Sequence, residues 1–141
     1  MSVPEADIIQ KVLQWTAYAD EDLHLAQHGL KLASNAPYRL IAYHAQQCAE
    51  KYFKAYLVYH RIDFPYTHNI ARLLELCPDR NSWDKDLDEA EELTPFAITT
   101  RYPGEDEPVS ASEAKRAIKI AKLVRKTIRS ALSNKGIKYK M

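Results

Sequence analysis

Glycine and cysteine are scarce in this chain, and each scarcity argues against a class of structure. The 141 residues include only 3 glycines and 2 cysteines. So few glycines favour helices over turn-rich β folds. Cys48 and Cys77 belong to no C-x-x-C pair, so the sequence supports neither a disulfide framework nor a structural zinc site. We expect two buried free thiols.

Long apolar runs and the common catalytic motifs are missing as well. No stretch approaches the roughly 20 apolar residues that cross a bilayer, and the start, MSVPEADIIQK, lacks a basic segment followed by an apolar one. These features predict a cytoplasmic protein. The sequence also has no P-loop glycine pattern, nucleophile elbow, H-E-x-x-H or paired-carboxylate metal motif. We therefore expect no metal and no cofactor.

The residues that are present suit one soluble, ordered domain. Hydrophobic residues make up 46% of the chain and charged residues 28%, and the length fits a single domain over residues 1–141. The net charge of +1 hides an asymmetry. Residues 112–141 carry ten Lys/Arg and one acid, which is +9, and the rest of the chain carries −8.

Apolar residues recur every three or four positions through most of the chain, which is the spacing of a buried helix face. No segment alternates with period two for long enough to predict a strand. The predicted helices cover about 4–33, 37–61, 68–77, 82–92 and 111–133, and the fourth could restart after Pro95 as far as Thr100. Residues 101–108, with a Pro-Gly pair and three acids, predict a loop. The expected fold is all-α, an antiparallel up-and-down bundle of four main helices plus short ones.

Local patterns refine three of these helices. Thr67 or Asn69 could cap the third helix, and Ser110 with Glu113 has the spacing of a capping box. On the second helix, Gln47, Glu50 and Lys54 are available for a wetter side beside the apolar stripe.

Three separated motifs, in order, resemble the HEPN domain. They are residues 43–57, YHAQQCAEKYFKAYL; residues 67–70, THNI, with Leu73 and Leu74; and TPF at 94–96 with RYP at 101–103. The resemblance covers nearly the whole chain. It implies a helical bundle, commonly dimeric, that in prokaryotes stands beside a small nucleotidyltransferase, and elsewhere acts as a metal-independent ribonuclease or a nucleotide-binding appendage.

Catalytic HEPN members carry an Arg and a His that are separated by four to six intervening residues. The chain offers two matches, Arg39 to His44 and Arg61 to His68. The ribonuclease pattern also has a polar residue directly after the Arg, whereas Leu40 follows Arg39 and Ile62 follows Arg61. This departure counts against nuclease activity.

Metal-free RNA cleavage needs a base, an acid and a cation for the phosphate, and His and Arg can fill these roles. The catalytic candidates are His44, His68 and Arg101. His44 could instead be a partly buried histidine that orients a neighbouring element, and His68 could only brace the turn before the third helix. Arg101 could contact a phosphate or pair with the acids at 105–107.

The resemblance makes Lys51, Arg101 and Tyr102 the candidates for holding a nucleotide. Tyr102 could stack on a base, and packing within the protein is the alternative. His24 and His28 are four apart and could share a metal, yet they lack a third ligand and are expected to be solvated.

A basic ridge can form along the last helix from Lys115, Lys119, Lys122, Lys126 and Arg129. Such a ridge could neutralise RNA phosphates. The alternatives are a solvated face, or pairing with the acidic segment 79–92 of the same or a second subunit. The nine tyrosines are expected in the core or at a dimer interface.

Three functions remain open. The first is a nucleotide- or RNA-associated HEPN module, the partner of a small nucleotidyltransferase in a toxin-antitoxin-like pair. The second is a metal-independent HEPN ribonuclease toxin, and the third is an oligomerisation module without a ligand. In each case we expect a homodimer.

Overall fold

The computed structural model describes residues 5–32, 34–97 and 108–139. These residues form helices and connecting segments without a strand, which confirms the all-α class. None of the helices in these ranges is both long and apolar enough to cross a membrane. The α-helices are α1 (Ala6–Gly29), α2 (Tyr38–Tyr59), α3 (Ile70–Leu76) and α4 (Ala111–Asn134), and two 3-10 helices, Arg80–Ser82 and Lys85–Ala97, lie between α3 and α4.

Helix α1 buries the face that its spacing predicts. Its buried residues are Val12, Thr16, Ala19, Leu23 and Ala26. The helix ends at Gly29, where the chain passes close to the start of α2. A Cβ atom at this glycine would lie 2.7 Å from Cγ1 of Ile41. Glycine therefore permits α1 and α2 to pack closely where the chain reverses direction.

Helix α2 is the central element, because it packs against α1, α3, α4 and the second 3-10 helix. Aromatic and small side chains fill its buried faces, including the fully buried Tyr52, Phe53 and Tyr56. The expected wetter side is wrong for two residues. Glu50 is 4% exposed and Lys54 is 7% exposed, because each is the other's partner at a spacing of four and can leave water as an ion pair.

Helix α3 begins after Asn69, whose side chain accepts a hydrogen bond from the backbone N–H of Arg72. This confirms one of the two predicted caps. The helix predicted at 82–92 differs from the structure. A 3-10 helix runs from Lys85 to Ala97 and continues through Pro95, and it buries Leu87, Ala90 and Leu93. Steps of three match the three residues per turn of a 3-10 helix. The predicted restart after Pro95 is described only as far as Ala97, within this 3-10 helix, and its residues 98–100 lie outside the described residues.

Helix α4 has the predicted capping box, with Ser110 Oγ accepting from the N–H of Glu113 and the Glu113 carboxylate accepting from the N–H of Ser110. The chain leaves the helix at Gly136, whose φ of +103° suits glycine. The buried face of α4 lies mainly against α2.

Both cysteines are buried and free, as expected. Burial raises the pKa of Cys77 to about 12 and raises that of Cys48 further. Both thiols therefore stay protonated at neutral pH and act as small apolar groups.

Candidate functional site

One face of α2 carries a buried ion pair that also holds a histidine, which we call the Glu50 network (Gln46, Glu50, Lys54 and His68). Gln46 Nε2 donates to Glu50 Oε1 at 2.9 Å, and Lys54 Nζ donates to Glu50 Oε2 at 2.9 Å. His68 Nδ1 lies 2.7 Å from Glu50 Oε1. The network thus links the middle of α2 to the segment just before α3.

The surroundings of Glu50 and Lys54 stabilise the buried charges of this network. Burial raises the pKa of Glu50, but hydrogen bonds from Gln46, His68 and Lys54 outweigh that effect and hold the pKa below its ordinary value. Glu50 is therefore ionised at neutral pH. The ammonium of Lys54 lies 5.9 Å from the ring centre of Trp15 and 5.7 Å from that of Phe64. Two aromatic rings thus replace part of the water that this cation has lost.

A second histidine belongs to the Asp22 network (Asp22, His44 and Lys51), which links α1 to α2. His44 Nδ1 lies 2.9 Å from Asp22 Oδ1, and Lys51 Nζ lies 2.5 Å from Asp22 Oδ2. The Asp22 side chain is mostly buried, while His44 and Lys51 each retain about a quarter of their exposure. Both partners of Asp22 are therefore within reach of solvent.

The Asp20 network ties three helices together. Asp20 on α1 accepts hydrogen bonds from Tyr52 of α2 and from Arg125 and Arg129 of α4. Burial, together with the hydrogen bond to Asp20, raises the pKa of Tyr52. The phenol therefore remains a donor at neutral pH. The guanidinium of Arg129 also stacks on the ring of Tyr139 at 4.1 Å.

The two candidate histidines do not converge on one carboxylate. Each contacts a carboxylate through Nδ1, but His44 contacts Asp22 and His68 contacts Glu50. Neighbouring residues of a helix, such as Glu50 and Lys51, point about 100° apart, so the two networks lie on different sides of α2. Across the described parts of the chain, no hydrogen bond or ring contact joins His44 to His68.

The other residues singled out from the sequence are placed as follows. Lys51 is part of the Asp22 network, whereas Arg101 and Tyr102 lie outside the described residues. His24 and His28 are exposed and contact each other edge-on at 4.4 Å. No group of three or more potential ligands that could hold a metal occurs in residues 5–32, 34–97 and 108–139.

The basic ridge of α4 is only partly as expected. Arg129 is engaged by Asp20. Four acids of the segment 79–92 pair with cations outside the predicted ridge: Glu89 and Glu92 with Arg116, Asp88 with Arg80, and Asp79 with Lys135. Four lysines are exposed and have no ion pair among the described residues. This lysine ridge consists of Lys115, Lys119, Lys122 and Lys126.

Several of these partners were not foreseen from the sequence. The carboxylates that hold the histidines, Asp22 and Glu50, are 22 and 18 residues away from them. Glu50 had a usable signal, because Gln46, Glu50 and Lys54 repeat every four residues on one helix. Asp20 had none, since its partners Arg125 and Arg129 lie more than a hundred residues further along the chain.

The fold and these networks define the class: an all-helical bundle with two carboxylate-bound histidines, His44 on the central helix α2 and His68 just before α3. The family model of the HEPN domain matches residues 12–137. The chain therefore belongs to the HEPN domain family. The crystal structure of TT1696 from Thermus thermophilus is similar, with a TM-score of 0.70 and 27% sequence identity, over 85% of this chain and 97% of that one. No curated protein matches the chain significantly.

Proposed function

We propose that the chain is a nucleotide- or RNA-associated HEPN module of the cytoplasm, a homodimer that serves a small nucleotidyltransferase. The lysine ridge is the observation that carries RNA association. Its four cations lie within about 60° around α4 and span about 16 Å along it, at about 1.5 Å per residue. The support for the homodimer and for the transferase partner is the resemblance to HEPN domains, which are commonly dimeric and in prokaryotes accompany a small nucleotidyltransferase.

The charge pairing around the lysine ridge supports a ligand rather than an internal partner. Four acids of the segment 79–92 already have cations: Arg116 pairs with Glu92 at 2.8 Å and with Glu89 at 3.3 Å, and Asp88 and Asp79 pair with Arg80 and Lys135. Four adjacent lysines repel one another, and a phosphate backbone relieves that repulsion while it releases counterions. This arrangement supports a binding surface for the phosphate backbone of RNA.

Replacing the four ridge lysines by glutamine should weaken binding of single-stranded RNA by about tenfold or more at ~0.1 M salt. Each phosphate contact on a single strand contributes about −0.7 to the slope of log K against log salt, so the slope should flatten by about 3. Fluorescence anisotropy of a labelled oligonucleotide, measured across a salt series, gives both values.

The matched control removes the same charge elsewhere. Lys11, Lys31, Lys85 and Lys138 are exposed lysines outside the ridge, and their replacement by glutamine should leave most of the salt slope intact. Equal losses in the two quadruple variants would mean that net charge alone binds RNA and that the ridge is not a site. No RNA binding by the wild type would favour the oligomerisation module.

A second candidate, the metal-independent ribonuclease, is favoured by the contact of His68 with Glu50. A neutral imidazole that donates Nδ1–H to a buried carboxylate presents Nε2 as a proton acceptor, which is the arrangement of a general base. The His68 side chain is 45% exposed, so a substrate hydroxyl can reach it. The Arg39–His44 match counts against a ribonuclease, because a separation of five residues places these two side chains about 140° apart around α2.

We expect the wild-type protein to bind labelled single-stranded RNA in EDTA without cutting it. The comparison includes His68→Ala and Arg101→Ala, with His24→Ala as a control at an exposed histidine. Cleavage by the wild type that persists in His24→Ala and disappears in the other two folded variants would replace the module with the ribonuclease. Circular dichroism checks that each variant is folded.

A further inference from the structure

A groove of about 600 Å³ lies between α2, the first 3-10 helix and α4, away from both histidine networks. Ligand pockets in proteins commonly have volumes of about 300–1,000 Å³, so its size suits a small organic molecule. Its lining combines an indole, two lysines, two aspartates and hydroxyl groups. The residues that carry the argument are Trp83, Asp84, Lys126, Thr127, Ser130 and Lys135.

Part of this lining is engaged within the protein and forms a fixed wall. Tyr56 donates a hydrogen bond to Asp79, and Lys135 Nζ lies 3.6 Å from Asp79 Oδ2. Trp83 meets the ring of Tyr56 edge-on, with centroids 5.0 Å apart and planes at 68°. Such a contact fixes the plane of the indole. Trp83 is partly exposed and lines the groove, where it offers an aromatic surface for stacking.

The opposite wall offers groups that suit a phosphate. Lys126, Thr127 and Ser130 lie within about one turn of α4, so their ammonium and hydroxyl groups line the same side of the groove. In the described part of the chain, Lys126 has no ion pair, and no hydrogen bond involves the Thr127 or Ser130 hydroxyl. Three donors thus face the groove without an internal acceptor.

The charge balance limits the number of phosphates. Two aspartates oppose two lysines in the lining, so a triphosphate would meet carboxylates as well as cations. A single phosphate needs one cation, which Lys126 can supply, and the Asp84 carboxylate can accept a hydrogen bond from the amino group of a base. An aromatic base with one phosphate fits the lining better than a polyphosphate or a purely apolar molecule.

We propose that this groove binds one nucleotide unit, with its base stacked on Trp83 and its phosphate held by Lys126, Thr127 and Ser130. The inference rests on the proposed function and extends it, because Lys126 belongs both to the groove and to the lysine ridge. A single strand whose phosphates follow the ridge would deliver a base to Trp83. The same chemistry could come from a free mononucleotide, and the experiment separates the two sources.

Isothermal titration calorimetry with AMP, which does not depend on Trp83 as a reporter, tests the free nucleotide, and ribose 5-phosphate serves as a ligand without a base. Anisotropy of a labelled single-stranded RNA tests the strand. We expect Trp83→Leu and the near-isosteric Thr127→Val each to weaken at least one of these ligands by about tenfold or more. Tyr66→Leu, which removes a side chain that is 95% exposed, should weaken neither.

Each outcome has a distinct meaning. If AMP binds and its binding is lost in Trp83→Leu, the groove binds a free nucleotide. If AMP does not bind, but RNA binding depends on Trp83 and Thr127, the groove binds a base of the strand. RNA binding that depends on the lysine ridge but not on Trp83 or Thr127, without AMP binding, overturns the groove and leaves the proposed function standing. If RNA binding depends neither on the lysine ridge nor on Trp83 and Thr127, and AMP does not bind, both proposals are wrong.

Discussion

Replacing Glu50 by methionine should lower the free energy of unfolding by about 3–5 kcal/mol, because removal of one partner leaves a buried charge uncompensated. The Lys54 ammonium would keep its two aromatic neighbours but lose its carboxylate at 2.9 Å. Gln46 and His68 would lose their acceptor as well. Urea denaturation at neutral pH, followed by circular dichroism, measures the loss.

The pH dependence of this stability has a definite sign. The folded-state pKa of Glu50 is below its ordinary value of 4.5. Its stabilising contribution is therefore complete above about pH 4.5 and is lost as the pH falls through the folded-state pKa. The unfolding free energies of the wild type and Glu50→Met should converge as the pH falls in that range.

A second substitution distinguishes the buried pair from simple packing. The double variant Glu50→Met/Lys54→Met keeps the side-chain volumes and removes both charges, so it should be more stable than either single variant. Glu75→Met serves as the control, because Glu75 pairs with Arg72 at 3.8 Å on the exposed surface. That change should cost within about 0.5 kcal/mol. If Glu50→Met cost no more than Glu75→Met, the pair would not stabilise the fold.

The helices of this chain were predictable to the extent that their spacing is regular. The buried face of α1, whose residues recur every three or four positions, and the capping box of α4 depend only on near neighbours in sequence. Both are confirmed. The second 3-10 helix was harder to predict. Its buried residues Leu87, Ala90 and Leu93 recur every three positions, and over so short a segment this spacing does not distinguish an α-helix from a 3-10 helix.

The candidate site was less predictable because its contacts join distant segments. The sequence indicates His44 and His68 as chemically useful residues, but it does not reveal that each is held by a carboxylate 22 or 18 residues away. Only the packing of α1 and of the segment before α3 against α2 creates these contacts. The catalytic roles of His44, His68 and Arg101, and the nucleotide contacts of Lys51 and Tyr102, stay predictions.

Asp20→Ala should lower the free energy of unfolding by roughly 2–4 kcal/mol, since hydrogen bonds to a charged group are worth about 1.5–3 kcal/mol each and do not add fully. Asp20 Oδ1 lies 2.9 Å from Arg125 Nε, and Oδ2 lies 3.2 Å from an Arg129 nitrogen. It also accepts from the Tyr52 hydroxyl. Its loss leaves the donors of two other helices without their shared acceptor. Thermal and urea unfolding measure the effect.

Two comparisons make this expectation specific to the Asp20 network. Glu21→Ala removes the adjacent exposed carboxylate and should change stability by no more than about 0.5 kcal/mol. Tyr52→Phe should cost less in the Asp20→Ala background than in the wild type, because the hydroxyl has already lost its acceptor. An equal cost in both backgrounds would mean that the Tyr52 hydroxyl gains its stability from Arg129, 3.2 Å away, and that Asp20 does not couple the three helices.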